Sequence, residues 1–441
     1  MMSIESDVLK RIKPTAEETE SILNRAESLK KEVLNYVSVH KLDINVKFVG
    51  SVAKGTFLSD PDLDVFLMFP LYVPREELEK IGLKAGEDIL HGEQMYAEHP
   101  YIRGTYEDLD VDMVPCYNIA STENLLTSVD RTPFHTDYIL SKTDGQMKDE
   151  IRLMKKFMKG IGTYGAEPNT RGFSGYMCEL ITLHYGGFID AIIAAAEWKE
   201  GVTIVIEKRG PPMVAPIVLY DPVDPRRNVA SAVHIDTLAE FITACKSYIR
   251  MPDEKFFFPK DRIPLDKDTL IMKTELHGTR LVTVKFTRPE VNEDNLHSQL
   301  WKTQYALSAK LDAFSFNVLR AVHKMTDKEV VIVFEIERDI LSKTYKHIGP
   351  PVWVKTSAAF HEKWKNNEFG EPFIENGHWT VIAERMYFTA AEMLTDEAAI
   401  AGIGREIKPT TMKIMDHNAT LNDTDPKLLT ELLDPKHSWE V

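Results

Sequence analysis

The chain has 441 residues, 43% hydrophobic and 27% charged, which is enough for roughly three domains with real cores and too apolar for wholesale disorder. Glycine and proline number 22 and 23, about a tenth of the chain, which excludes collagen-like or low-complexity architecture. The net charge of −15 excludes a uniformly basic nucleic-acid coat but leaves room for a local basic groove.

In chain order, residues 15–40 read as a helix. Thr15 and Glu18 form a capping box after Pro14, and Ile22, Ala26, Leu29, Val33 and Val37 recur at helical spacing. Residues 44–49 alternate as a strand broken by Gly50-Ser51, and 63–69 form a strongly apolar strand. A helix follows from Pro74 to about Leu90. Residues 95–106 look extended, and 111–114 make a short strand halted by Pro115. Residues 149–160 and 174–198 read as helices, 203–206 and 217–220 as strands, 231–250 as helix, and 252–264 as a Pro- and charge-rich linker. Strand 281–287, a long helix over 293–318 and strand 329–336 give a second small α/β unit. The three cysteines, Cys116, Cys178 and Cys245, are too scattered for a zinc knuckle, and their odd number suits a reducing compartment. The first residues have no apolar core of signal-peptide length, and no run approaches the roughly 18 apolar residues of a membrane span. These features predict a soluble, cytoplasmic protein.

The sharpest chemical signal is Gly50-Ser51 followed by Asp62-Leu63-Asp64. Side chains alternate along a strand, so Asp62 and Asp64 share a face while Leu63, Val65, Leu67 and Phe69 take the other. Two carboxylates on one face repel unless a cation lies between them, and oxygen ligands suit Mg²⁺. A bare D-x-D is more often the solvated edge of a strand. Gly50-Ser51 adds a turn into a short helix where backbone N–H groups can hold phosphate. A second carboxylate strand, Asp110 to Val114, adds Asp112. Three carboxylates can hold two metals across an in-line phosphoryl displacement.

These residues resemble the palm of the nucleotidyltransferase superfamily. Longer strings narrow the resemblance to the archaeal, class I, CCA-adding enzymes: Ala97-Glu98-His99-Pro100-Tyr101, Val111 to Tyr117 (VDMVPCY), Asp130 to His135 (DRTPFH), Tyr164 to Glu167 (YGAE), Arg171 to Tyr176 (RGFSGY) and Asp221 to Val229 (DPVDPRRNV). The similarity runs from about residue 48 to 230, and returns at Asp294 to Leu296 and Pro372 to Gly377.

The resemblance implies an α+β fold: a nucleotidyltransferase palm with a mixed sheet (head, 1–148), a mostly helical central neck (149–258), and a C-terminal α/β region with a small RRM-like sheet that binds tRNA (259–441). It implies template-free addition and repair of the tRNA 3′-terminal CCA from CTP and ATP, with release of pyrophosphate. Mg²⁺ would be held by Asp62, Asp64 and Asp112. Ser51, Lys54, His135, Lys155, Tyr164 and Arg227 would contact the nucleotide, with Arg227 helping to read the base. Lys54 stands where the family often has Arg, and so keeps the charge without the bidentate fork. By itself His135 reads as a surface or capping histidine, and only the string around it reverses that; Lys155 alone reads as part of a solvated helix face, Tyr164 as core, and Arg227 equally as an ion-pair partner. The expected partners are tRNA, ATP and CTP, with no membrane; a homodimer is compatible with the sequence. Residues 338–365 carry six Lys/Arg against two Asp/Glu, interleaved with Tyr345, Trp353, Phe360 and Trp364, which suits RNA or, alternatively, a solvated helix. Two rival functions stand beside this one: a poly(A) polymerase or oligoadenylate synthetase, and a catalytically silent RNA-binding protein.

Overall fold

Residues 3–59, 61–96 and 99–441 are described by a computed structural model, so Ala97 and Glu98 of the quoted strings lie outside the described residues. The chain forms two compact units, 1–261 with 437–441, and 262–436.

The first unit opens with α1 (Ile4–Ile12) and α2 (Ala16–Val39). The Thr15–Glu18 capping box forms as expected, and Ile22, Ala26, Leu29 and Val33 are the buried face of α2. Then come β1 (Asn45–Val49), α3 (Gly50–Lys54), β2 (Leu63–Phe69), α4 (Arg75–Leu90), β3 (Glu93–Tyr96), β4 (Pro100–Tyr106) and β5 (Leu109–Tyr117). The five strands make one sheet in the order β1-β2-β5-β4-β3. All pairs are antiparallel except β2 with β5, where Asp64 is the register partner of Asp112. Leu63, Val65, Leu67 and Phe69 are all buried in one cluster with Leu78, Ala85 and Leu90 of α4. The helix approaches closely because Gly82 has no side chain: a Cβ there would fall 2.4 Å from the Pro115 ring.

Pro115 does not halt its strand. β5 runs on to Tyr117, still paired to β2 through Leu67↔Pro115. Its register with β4 ends at Ile102↔Met113, so Pro115 sits where that side of the strand is already an edge, the position that tolerates a missing N–H.

After β5 the unit is mostly helical: α5 (Thr132–Lys142), α6 (Gly145–Gly160), α7 (Gly175–Tyr185), α8 (Phe188–Ala196), the parallel pair β6 (Val202–Val205) and β7 (Ile217–Tyr220), and α9 (Ile235–Arg250). The helix expected over 174–198 is two, because Gly186 takes the left-handed conformation at φ +89° and caps α7. Although α7 and α8 together are apolar, no single helix among the described residues is long and apolar enough to cross a membrane. The stretch 252–264 is only partly a linker. Phe256 and Phe257 are buried against Phe157 and Tyr248, and Trp439 stacks on Phe256. Charge and proline content at 252–264 concealed these two aromatic anchors.

The second unit comprises α10 (Lys267–His277), β8 (Arg280–Thr287), α11 (Glu293–Ala313), β9 (Val318–Met325), β10 (Glu329–Ile336), β11 (Thr344–Pro351), α12 (Ser357–Trp364), β12 (Phe373–Glu375), β13 (His378–Glu384), α13 (Ala390–Glu397), β14 (Lys413–Met415), α14 (His417–Asp423) and α15 (Pro426–Leu433). A four-stranded sheet, β14-β8-β10-β9, carries an apolar cluster on each face. The unit also holds a three-stranded sheet, β11-β13-β12. The long helix ends at Ala313 rather than 318. Ser315 and Asn317 turn the chain at φ +72° and +50° into β9, an edge strand too mixed in polarity to show period-two alternation. Residues 338–365 contain β11 and α12, not one solvated helix.

Candidate active site

The β1–α3 turn and the start of β2 make one wall of a cavity of about 300 Å³. Gly50 has φ +73°, and a Cβ there would lie 1.8 Å from Asp64 Oδ2, so the carboxylate packs directly on the turn's backbone and only glycine fits. Helix α3 has only five residues, so its dipole is small, and the positive charge comes from lysines instead. Of the nine residues expected at the site, six line this cavity: Ser51, Lys54, Asp62, Asp64, Lys155 and Tyr164.

Lys54 and Lys155 are almost wholly buried, and both point at Glu179. Lys54 donates to one carboxylate oxygen at 2.6 Å. Lys155 donates to the other at 2.8 Å, and Thr56 Oγ1 donates to that same oxygen at 2.7 Å. Burial works against the Glu179 charge, but Lys155 and Lys54 override it and hold the carboxyl at about 2. Burial also lowers Lys155, and Glu179 opposes that fall. Tyr164 is buried enough to keep its hydroxyl protonated, and Lys159 lies over its ring, 5.1 Å from the centroid.

His135 and Arg227 lie one layer back. His135 is stacked on Tyr176, which lines the cavity, with ring centroids 3.9 Å apart. Its Nε2 is 2.8 Å from Asp221 Oδ2, and Arg227 Nη1 donates to that same oxygen at 3.2 Å. Burial pushes His135 down towards the neutral form, in which Nε2–H donates to Asp221. Burial disfavours the Asp221 charge, but its bonds to His135 and the Val223 N–H, with Arg227 nearby, hold its carboxyl below the usual range. The DPVDPRRN string is therefore two Asp–Arg pairs in succession, because Asp224 accepts from Arg226 Nε at 2.8 Å. Within DRTPFH, Asp130 is a buried knot. It accepts from the N–H groups of Tyr117, Leu126 and Thr127 and from the Thr127 hydroxyl, which fixes the loop that leads to His135.

Asp64 is raised to about 6, by burial first and by the Asp112 charge second. Burial likewise raises Asp62, with Arg103 opposing. Asp112 is turned towards β4, where Arg103 Nε and Nη2 donate to its two oxygens at 2.7 Å each. Among the described residues no three His, Cys, Asp or Glu side chains converge on one point. The donors are nevertheless all carboxylate oxygens, and their mutual repulsion and the guanidinium already drawn among them fit a hard divalent cation.

Sequence reasoning missed Thr56, Arg103, Tyr176, Glu179 and Asp221. Tyr176 and Asp221 lay inside the quoted strings without a role assigned to them, and Glu179 carried a signal of its own: a lone acid inside the apolar run of α7, where an unpaired charge would be too costly.

Three family descriptions match in succession: a nucleotidyltransferase domain over 27–135, the second domain of tRNA nucleotidyltransferase over 149–258, and the C-terminal domain of CCA-adding enzymes over 277–415. The CCA-adding enzyme of Methanosarcina barkeri is 39% identical over 412 residues, covering 91% of this chain and 90% of its own. That of Methanoregula boonei is also 39% identical, covering 91% and 88%. The Archaeoglobus fulgidus enzyme is 34% identical over 80% of both chains. With a palm sheet that pairs its carboxylate strands and relatives matched along nearly their whole length, the chain belongs to the family of archaeal CCA-adding enzymes and is a tRNA nucleotidyltransferase.

Proposed function

We propose that the protein builds and repairs the 3′-terminal CCA of tRNA without a nucleic-acid template, consuming CTP and ATP and releasing pyrophosphate. The observation that carries this reading is one cavity in which Asp62 and Asp64 face the lysine pair Lys54 and Lys155. Such a pocket can hold a triphosphate at its cationic side while its α-phosphorus meets the carboxylates.

Ser51, Lys54, Lys155 and Tyr164 bind the triphosphate and stabilise the charge that accumulates on the departing pyrophosphate. His135 and Arg227, tied together by Asp221, form the layer behind Tyr176 from which the base is read. Asp62, Asp64 and Asp112 are the residues that would hold Mg²⁺. When bound, the metal supplies Lewis acidity at the reacting phosphate and lowers the pKa of the attacking hydroxyl. Asp112 would also orient the 3′-hydroxyl of the tRNA and help to deprotonate it.

The tRNA contact is assigned to the 338–365 segment, which holds β11 and α12. Trp353 is 74% exposed there, and Arg385 lies over the Tyr345 ring. Part of the charge in this stretch is already engaged, with Lys346 on Glu375 and Lys365 on Glu362. The three cysteines are buried and unpaired, which supports a cytoplasmic setting.

The experiment is to incubate the protein with tRNA lacking its 3′ end and each labelled nucleotide in turn, then to sequence the addition. CCA, stopping after three, is expected. Addition of A alone, without CTP use, would transfer the reading to a poly(A) polymerase.

A further inference from the structure

Cross-strand pairing puts Arg103 on β4 directly opposite Asp112 on β5, and Asp112 beside Asp64 on β2. Arg103, Asp112 and Asp64 therefore form one row across three strands. The Arg103 fork takes both oxygens of Asp112, so while it is closed that carboxylate has a competing cation on each of its donor atoms. The two partners are unequally placed. The Arg103 side chain is 46% exposed and that of Asp112 only 16%, so the guanidinium can swing into water while the carboxylate it leaves behind stays in place and needs another cation. The fork spends two of the five N–H donors of Arg103, and the others are available to a phosphodiester.

We propose that Arg103 is a positioning residue that latches Asp112, and that a phosphodiester at the RNA 3′ end draws it off, so that the third carboxylate becomes available to a divalent cation when RNA arrives. This rests on the reading of Asp112 as a metal ligand. Through Arg103 the RNA and the cation favour each other's binding, and linkage makes the effect reciprocal. Lys54 and Lys155 donate to Glu179, and neither makes a hydrogen bond to Asp112 that could serve as this latch.

The test is Mn²⁺ binding to the full chain, measured by electron paramagnetic resonance without nucleotide, with and without tRNA lacking CCA. In the wild type, tRNA is expected to tighten the Asp112-dependent site about fivefold or more. Arg103→Met should bind Mn²⁺ about tenfold more tightly without tRNA and lose most of the response to tRNA. Arg103→Lys keeps the charge but not the fork, and should fall between the two. It decides the matter if the methionine variant does not fold. Asp112→Asn should lose the site in either background. An arginine that served only to stabilise the sheet would leave Mn²⁺ affinity unchanged or weaker in folded Arg103→Met or Arg103→Lys, and that result overturns the latch. If Asp112→Asn binds Mn²⁺ like the wild type, the metal-ligand reading of Asp112 fails instead.

Discussion

Lys155 and Glu179 form an ion pair at 2.8 Å with side chains only 4% and 0% exposed. A pair so far from water stabilises only while both members are charged and hydrogen-bonded, and removing one leaves the other stranded. Here the single carboxylate serves two lysines, so the nucleotide pocket and the stability of α7 depend on the same residue.

Glu179→Gln should therefore lower stability by about 3 kcal/mol, within the range for breaking a buried pair. The Glu179 carboxyl falls from the ordinary 4.5 to about 2 in the folded protein. A lowered acid stabilises the fold at all pH values above its unfolded pKa, and that stabilisation is lost as pH drops towards the folded value. Urea unfolding followed from pH 5 to pH 2.5 should show the wild type losing stability faster than Glu179→Gln. Parallel curves would mean that Glu179 is not the group responsible.

Asp64 gives the opposite sign. Its carboxyl rises from 3.8 to about 6, so folding is penalised progressively as pH climbs through that window and the charge is forced onto a partly buried site beside Asp112. In EDTA at pH 7.5, Asp64→Asn should be more stable than the wild type by about 1–3 kcal/mol. Its transfer activity should fall on the order of 10³-fold or more. Calorimetry and a single-turnover assay check the two halves separately. A variant that is less stable yet active would remove Asp64 from the metal site.

Arg227 has donors and no acceptor, so it can bond the unprotonated N3 of cytosine or N1 of adenine and clashes with the N–H at that position in uracil and guanine. Arg227→Ala should slow CTP and ATP addition and narrow the gap between CTP and UTP. The measurement is kcat/KM for the four nucleotides on tRNA ending at the discriminator base and on tRNA already carrying CC. Unchanged discrimination against UTP would leave Arg227 with only its structural bond to Asp221.

Within the 338–365 segment, replacing Lys343, just before β11, and Lys346 on β11 by Glu should raise KM for tRNA and leave KM for ATP nearly unchanged. The dependence of log K on log salt should become shallower, because fewer counterions are released. An unaltered salt slope with unaltered tRNA affinity would place the RNA contact elsewhere.

Much of the palm was legible because its signals are local: the Thr15 capping box, the alternation around Asp64 and the turn at Gly50 each involve neighbours in sequence. The partners of the predicted site residues were not. Glu179 beneath Lys54 and Lys155, Asp221 between His135 and Arg227, and Arg103 across from Asp112 are contacts made only when distant elements dock, and no spacing rule reports them. Strand β9 and the buried Phe256–Phe257 pair were obscured for another reason: the polar residues around them masked the pattern on which a strand or core assignment depends.

The pairing of Asp64 with Asp112 has a consequence for how errors in this protein would be penalised. The two residues lie on parallel strands separated in the chain by α4, β3 and β4, and side chains alternate faces at every step. A slip of one position between β2 and β5 would set Val111 or Met113 beside Asp64 and turn Asp112 into the apolar cluster on the other face. Mispaired chains would thus lose their chemistry and their core packing together. A product that folds in the wrong register is then conspicuously unstable rather than quietly inactive, so ordinary protein quality control can remove it without reading the active site.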